Sequence, residues 1–142
     1  MGKASRTKGA AGEREFCNAL SKLLDYMGVD SALSRNLSQT RDGGYDIAGL
    51  GDMAIEVKRA KQARVGDWWT QAAFQAQECN KFPVLAYRLD RREWRVVMHI
   101  NDITHPDFAF CATDGYDFTV EMGLGLFAQV IAERFKDQKE AA

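Results

Sequence analysis

The segment GGYDIAGLGDMAIEVKRAK, residues 43–61, constrains the fold of this chain more than any other stretch, because it predicts a β-hairpin. Two strand-like runs, residues 45–50 and 53–59, are separated by a turn that contains glycine. Side chains alternate between the two faces of a strand. The second run therefore has one face with Met53, Ile55 and Val57 and another with Ala54, Glu56 and Lys58.

The turn of this hairpin fixes which residues face each other. A turn centred near Gly51 places Asp46 opposite Glu56, and Ala48 opposite Ala54. Two carboxylates opposed on one sheet face repel each other by about 4 kcal/mol at a separation of about 4 Å and an effective dielectric constant of about 20. A divalent cation removes this repulsion, and ligation by a few carboxylate oxygens is typical of Mg²⁺. The hairpin therefore predicts a Mg²⁺ site, in which we expect Mn²⁺ to substitute.

Each candidate residue also has a simpler interpretation. Asp46 can accept backbone hydrogen bonds at a strand end. Glu56 and Lys58 can form an ordinary ion pair on a solvated strand face, worth about 0 to 1 kcal/mol. Glu13 lies three residues before Phe16 on the apolar stripe of a first helix, so we expect its carboxylate to point inward, although an acid near a helix N-terminus is also favoured by the helix dipole. The combination of these residues, rather than any one of them, favours a functional site.

The rest of the pattern predicts one α/β domain of 142 residues. Apolar spacing predicts a first helix over residues 10–27, and residues 31–38 form a modest strand. Asp67 is predicted to be the N-cap of a helix over residues 68–81. Later elements are predicted as strands over 82–89 and 93–100, a possible strand over 116–122 and a closing helix from Leu124 to Lys136.

Charge is distributed unevenly, although the formal net charge is only -1. Residues 1–100 hold 16 Lys and Arg against 12 Asp and Glu, whereas residues 101–142 hold 3 against 8. We expect residues 1–9 to form a flexible basic arm and residues 101–142 to form an acidic extension that packs on the core. The three cysteines match no metal-ligand spacing, and no stretch has the composition of a signal peptide or a membrane span. These features predict a cytoplasmic protein with no membrane partner and no organic cofactor.

The motifs of this chain resemble, in their order, those of the PD-(D/E)xK nuclease superfamily, most closely the archaeal-type Holliday junction resolvases. The likeness covers about residues 8–100 and rests on KGAAGEREF, the arginine of SRN, YDIAG, AIEVKRAK and the glutamine-containing WWTQAAFQAQ. It implies a restriction-endonuclease-like core, with a central mixed β-sheet flanked by helices. The loop NLSQTRDGG is longer than in compact archaeal members, and the segment after residue 101 has no counterpart. By resemblance, the catalytic residues are Glu13, Asp46, Glu56, Lys58 and Gln71.

This resemblance implies a metal-dependent DNA endonuclease that resolves four-way junctions by paired symmetric nicks as a homodimer. We expect Asp46, Glu56 and the Val57 carbonyl to hold the ion, Glu13 to bind a second ion or to position water, and Lys58 to offset charge on the phosphate. A restriction-like or replication- and repair-associated nuclease of the same fold, and a catalytically silent DNA-binding module, remain open. Contacts to DNA phosphates are expected from Lys3, Arg6, Lys8, Arg35, Arg59, Lys61 and Arg64.

Overall fold

The computed structural model describes residues 3–37, 44–104 and 115–141, without the side chains of residues 3–8 and 137–141. Its strands are β1 Ser34–Arg35, β2 Ile47–Ala48, β3 Met53–Ala60, β4 Phe82–Leu89, β5 Arg95–His99 and β6 Thr119–Gly123. Its helices are α1 Lys3–Tyr26, α2 Val65–Glu78, α3 Ile100–Thr104 and α4 Leu124–Ala141, with a 3₁₀ turn at Tyr116–Phe118.

The described strands form one mixed sheet in the order β1-β2-β3-β4-β5-β6. Among them, β3 and β4 form the only parallel pair, joined by a crossover through α2. Helices α1 and α4 pack on one face in a core that includes Phe16, Leu20, Ile55, Val84 and Phe127. Helix α2 covers the other face in a cluster with Trp69, Ala72, Leu85 and Val97. The predicted α/β class, with a central mixed sheet flanked by helices, is therefore confirmed.

The starts of two helices differ from the prediction. Helix α1 begins at Lys3 instead of residue 10, so the backbone of residues 3–9 is helical and not a flexible arm. The prediction followed the apolar stripe, which begins only at Phe16, whereas lysine, alanine and arginine also favour a helix. Helix α2 begins at Val65, and Asp67 lies in its first turn instead of capping it. An aspartate in the first turn is favoured by the helix dipole, so its presence marks the region of the start but not the first residue.

The part of the acidic segment that the structure describes belongs to the main core. Strand β6 pairs antiparallel with β5, and Met122 and Phe127 are buried beside α1 residues. The strand begins at Thr119 instead of residue 116, because the preceding three residues form the 3₁₀ turn. Strand β6 therefore adds a sixth strand to the sheet, and α4 packs in the same core through Phe127. None of the helices in the described ranges is long and apolar enough to cross a membrane.

Candidate active site

The β2–β3 hairpin has the predicted register. Ile47 pairs with Ile55, and the Asp46 backbone N–H donates to the Ile55 carbonyl at 2.8 Å. Continued by one residue, this pairing brings Asp46 next to Glu56, although the hydrogen bond from Asp46 to Ile55 shows that the ladder is irregular at Asp46. Strand β2 is only two residues long, so Asp46 lies just before the regular ladder. The exposed fractions of Asp46 and Glu56 are only 8% and 4%, and the hairpin therefore buries two opposed acids beside each other.

Burial and mutual repulsion alter the acidity of these two groups. Burial, with a further contribution from the Glu56 charge, raises the pKa of Asp46 to about 8, although the Val57 N–H donates to Asp46 Oδ2 at 2.8 Å and opposes the rise. Burial also raises the pKa of Glu56, while Lys58, whose Nζ lies 3.3 Å from Glu56 Oε1, lowers it. Glu13 raises the pKa of both acids. Three carboxylates and one amine therefore interact electrostatically at this end of the hairpin.

Two glutamines of α2 hold the Glu56 carboxylate. Gln71 Nε2 donates to Glu56 Oε1 at 3.2 Å. One helical turn later, the Gln75 amide nitrogen donates to Glu56 Oε2 at 2.5 Å and to the Gly44 carbonyl at 3.0 Å, in the amide orientation that gives both polar atoms a partner. Gly44 permits this approach, because a Cβ there would lie 3.1 Å from Gln75 Cδ. The sequence prediction included Gln71 but missed Gln75, although the spacing of four residues puts both on one helix face.

Glu13 points toward the hairpin, and an arginine binds it. Arg35 of β1 places its Nε 2.7 Å from Glu13 Oε2. Asn36 ties this strand to the site, because its backbone N–H donates to the Asp46 carbonyl at 2.8 Å and its side-chain Nδ2 donates to the Tyr45 carbonyl at 2.9 Å. Arg35 is therefore part of the carboxylate network, in addition to its predicted position near DNA.

The carboxylates at the hairpin suit a divalent cation with two carboxylate ligands better than a cation with three. Within the described ranges, no three Asp, Glu, His or Cys side chains are arranged to hold a metal ion. Glu13 is paired with Arg35, so its predicted part in binding a second ion or positioning water stays a prediction. Asp46 and Glu56 are buried, opposed oxygen donors, and a cation between them would favour the ionised form of both. They fit Mg²⁺, which commonly takes one or two carboxylates and keeps several waters; the Val57 carbonyl stays a predicted ligand.

The basic residues predicted to contact DNA lie in different settings. Lys61 and Arg64 are exposed in the segment between β3 and α2. Arg59, near the end of β3, has its Nε 3.7 Å from a carboxylate oxygen of Glu15 in α1. The remaining predicted contacts, whose side chains fall outside the described residues, are Lys3, Arg6 and Lys8.

Comparisons with known proteins agree with the motif-based prediction at the level of the superfamily. A solved structure of Hjc, a Holliday junction resolvase from the archaeal hyperthermophile Archaeoglobus fulgidus, is similar to this chain with a TM-score of 0.48 and 20% identity, over 88% of this chain and 96% of that chain. A search of curated proteins finds no match. A family model described as phage putative PDDEXK endonuclease matches residues 4–111, which is more than half of the 142 residues. The chain therefore belongs to the family of phage putative PDDEXK endonucleases.

Proposed function

We propose that this protein is a metal-dependent DNA endonuclease. Asp46, Glu56 and Lys58 form the active site that hydrolyses the phosphodiester bonds of DNA. The observation that carries the proposal is the burial of two opposed carboxylates, with Lys58 Nζ 3.3 Å from Glu56, in a member of an endonuclease family. Opposed like charges destabilise a sheet, and burial adds a desolvation cost to each. A hairpin with a purely structural role gains nothing from this arrangement, whereas a cation-binding site requires it.

The chemistry of the reaction matches these groups. Phosphodiester hydrolysis is extremely slow without a catalyst, so the site has to provide a nucleophile and stabilise added negative charge. A Mg²⁺ ion held by Asp46, Glu56 and the Val57 carbonyl would supply Lewis-acid catalysis and an activated water. Lys58 lies close enough to Glu56 to offset charge that develops on the phosphate oxygens. Attack of the water oxygen on phosphorus breaks the bond to the leaving oxygen, which takes up a proton.

Glu13 and Arg35 act beside the reacting groups. The carboxylate of Glu13 adds negative potential at the hairpin, which favours a cation and helps to orient water. The ion pair between Glu13 and Arg35, at 2.7 Å, holds the Arg35 guanidinium beside the hairpin, where it can bind a DNA phosphate. Gln71 keeps Glu56 in one orientation through its hydrogen bond to Oε1.

We further propose a four-way DNA junction as the substrate and a two-fold symmetric dimer as the active assembly. The likeness of KGAAGEREF to the start of archaeal-type resolvases supports the substrate. Two symmetric nicks require two sites related by a two-fold axis, which a homodimer provides. Apolar surface for such a dimer is available at Phe74, Tyr116 and Phe118, whereas Trp69 is buried in the core.

Cleavage assays with defined substrates test this function. Purified protein is incubated with end-labelled four-way junction, linear duplex and single strand, in Mg²⁺, in Mn²⁺ and in EDTA. We expect paired nicks in the junction with either metal and none in EDTA. Equal cleavage of all three substrates would refute junction specificity but would still support endonuclease activity. Cleavage of the linear duplex would then indicate a restriction-like or repair-associated enzyme. Junction binding without cleavage under any condition would identify a catalytically silent DNA-binding module.

Matched variants test the site. Asp46→Asn and Lys58→Met are expected to abolish cleavage while leaving DNA binding in EDTA. Asp52→Asn is the control, because Asp52 is a carboxylate of the same hairpin that pairs with Arg134 at 3.3 Å and lies before β3, away from Glu56. Cleavage that survives Asp46→Asn would contradict the site assignment.

A further inference from the structure

Two arginines lie side by side where the parallel strands β3 and β4 end. Arg59 and Arg88 are direct register partners, one position beyond the pair formed by Lys58 and Tyr87. Their side chains are 23% and 33% exposed, so both remain accessible to a ligand in solution. Arg88 was not among the predicted DNA contacts, because its pairing with Arg59 depends on the register of β4.

A carboxylate of α1 occupies the space between these two guanidinium groups. One oxygen of Glu15 lies 3.7 Å from Arg59 Nε, and the other accepts a hydrogen bond from Arg88 Nη1. Each oxygen therefore faces a different arginine. This is the arrangement that two arginines adopt around the terminal oxygens of a bound anion.

Contacts with the backbone hold both arginines in place independently of Glu15. The stem of Arg59 lies against α1, where a Cβ at Gly12 would come within 2.7 Å of Arg59 Cγ. Arg88 Nε donates to the Arg92 carbonyl at 2.6 Å. Arg59 Nη1 is buried without a hydrogen-bond partner among the described residues, so Glu15 leaves part of this guanidinium unsatisfied. The two cations would therefore stay together if the carboxylate moved away.

Basic residues lie on both sides of this pair. The chain after β3 carries exposed Lys61 and Arg64, and the turn after β4 carries exposed Arg91 and Arg92 between the exposed acids Asp90 and Glu93. A partly exposed ion pair contributes only about 0 to 1 kcal/mol, so exchanging the Glu15 carboxylate for another anion costs little. A DNA phosphodiester has the same charge as a carboxylate and also presents two terminal oxygens.

We propose that Arg59 and Arg88 form a DNA phosphate-binding site on the α1 face of the sheet, opposite the face that carries Glu56 and Lys58, and that Glu15 occupies this site in the free protein and leaves it when DNA binds. This inference rests on the proposed nuclease function, because it takes DNA as the ligand. In this proposal the Glu15 carboxylate competes with DNA phosphate for Arg59 and Arg88, and Arg88 belongs to the DNA-binding surface.

DNA binding in EDTA tests the proposal without cleavage. Fluorescence anisotropy of a labelled four-way junction and a labelled duplex is measured over a series of salt concentrations, for wild type, Glu15→Gln, Arg88→Gln and the double variant. We expect Glu15→Gln to bind more tightly than wild type. We expect Arg88→Gln to bind more weakly, with the slope of log K against log salt shallower by about 0.9, the value for one lost phosphate contact. In the Arg88→Gln background, most of the gain from Glu15→Gln should disappear.

A matched control separates this effect from a general change of charge. Asp52→Asn removes one negative charge from another arginine–carboxylate pair, at the opposite end of β3, and should tighten binding less than Glu15→Gln does. Equal affinity for wild type and Glu15→Gln, or equal tightening by both single-charge variants, would overturn the proposal. If Glu15→Gln fails to fold, the Arg88→Gln variant still tests the proposal. A slope of log K against log salt equal to that of wild type would then overturn it. Wild-type protein that binds no DNA would refute the nuclease function itself, whereas cleavage with unaltered variant binding would refute only this inference.

Discussion

At the scale of single residues, the site depends on two acids whose opposition is costly without a cation. Asp46 and Glu56 are buried opposite each other, and the pKa of Asp46 is raised to about 8. An acid whose pKa is higher in the folded state than in the unfolded state destabilises the fold as the pH rises between the two values. Binding of the proposed metal ion would favour the ionised form of Asp46, whereas the stability of the metal-free protein favours the protonated form.

Asp46→Asn should lower cleavage activity and at the same time stabilise the metal-free protein. We expect cleavage in Mg²⁺ to fall by more than about 100-fold, because a metal ligand and its charge are lost. In EDTA the variant should melt at a higher temperature than wild type at pH 8, and the difference should shrink as the pH falls toward the ordinary aspartate pKa of 3.8, below which Asp46 is protonated in both folded and unfolded chains. Thermal melts monitored by circular dichroism measure this difference. A variant that melts below wild type at pH 8 in EDTA would contradict the expectation.

Gln75→Met should weaken metal binding through Glu56. The change removes the amide that donates to Glu56 Oε2 and to Gly44 while keeping a side chain of similar length. Loss of a group that orients a metal ligand costs about 10- to 100-fold in metal affinity, and we expect a result in that range for Mn²⁺ measured by titration calorimetry.

Gln77→Met is the matched control for this measurement. Gln77 lies on the same helix and is exposed, and the change should leave Mn²⁺ affinity as in wild type. Equal Mn²⁺ affinity for Gln75→Met and Gln77→Met would show that Gln75 does not orient the ligand.

What the sequence predicts about single residues depends on how local the contact is. The closeness of Asp46 and Glu56 follows from ten residues of spacing and one turn, and the pairing of Ile47 with Ile55 agrees with the predicted register. The contacts of Gln75 with Glu56 and of Glu15 with Arg88 depend on how helices pack on the sheet. No local pattern encodes that packing, so Gln75, Glu15 and Arg88 were missed.

At the scale of elements, the β2–β3 turn sets the register that brings the acids together. Gly49 and Gly51 both have positive φ, +105° and +59°, where glycine is favoured. Their surroundings differ. A Cβ at Gly49 would lie 2.3 Å from the Ala32 carbonyl oxygen, whereas a Cβ at Gly51 would meet no atom within 4 Å.

These two glycines form a matched pair for mutation. Gly51→Ala should cost about 1 kcal/mol, the strain of an alanine in a left-handed conformation. Gly49→Ala should cost more than about 2 kcal/mol, because the backbone contact adds to that strain. Urea unfolding of both variants measures the difference, and equal destabilisation would show that the segment around Ala32 moves aside freely.

The boundaries of elements were predicted less well than their types. The hairpin, α2 and the strands β4 and β5 were all expected from apolar patterning. The sequence predicts Asp67 as a cap, because aspartate serves both as an N-cap and as a first-turn acid, and only the backbone distinguishes the two positions. The strand β6 was weak in the sequence because its alternation is short and lies in an acidic segment.

At the scale of the whole molecule, α3 and α4 meet at a buried acid that has no role in the proposed reaction. Asp102 is 1% exposed, and neither of its carboxylate oxygens has a hydrogen-bond partner among the described residues. Arg134 of α4 donates instead to its backbone carbonyl, at 2.5 Å. Burial raises the pKa of Asp102 to about 6; Arg134 opposes this rise and Asp52 adds to it.

Asp102→Asn should change how stability depends on pH. The folded protein holds the Asp102 proton up to about pH 6, whereas the unfolded chain releases it near its ordinary value of 3.8. Wild type should therefore lose about 1.4 kcal/mol per pH unit relative to the variant across that window, with no further relative loss above it. Urea unfolding from pH 4 to pH 8 measures the difference, and a constant gap between the two proteins would contradict the expectation.

The parallel pairing of β3 and β4 has a consequence for the nascent chain. Parallel neighbours cannot be joined by a tight turn, so β3 and β4 are connected by the crossover through α2. Asp46, Glu56 and Lys58 leave the ribosome before the glutamines of α2 and the strand that anchors that helix. A half-synthesised chain thus carries the acids without the glutamines that hold Glu56, and we expect such a chain to lack cleavage activity.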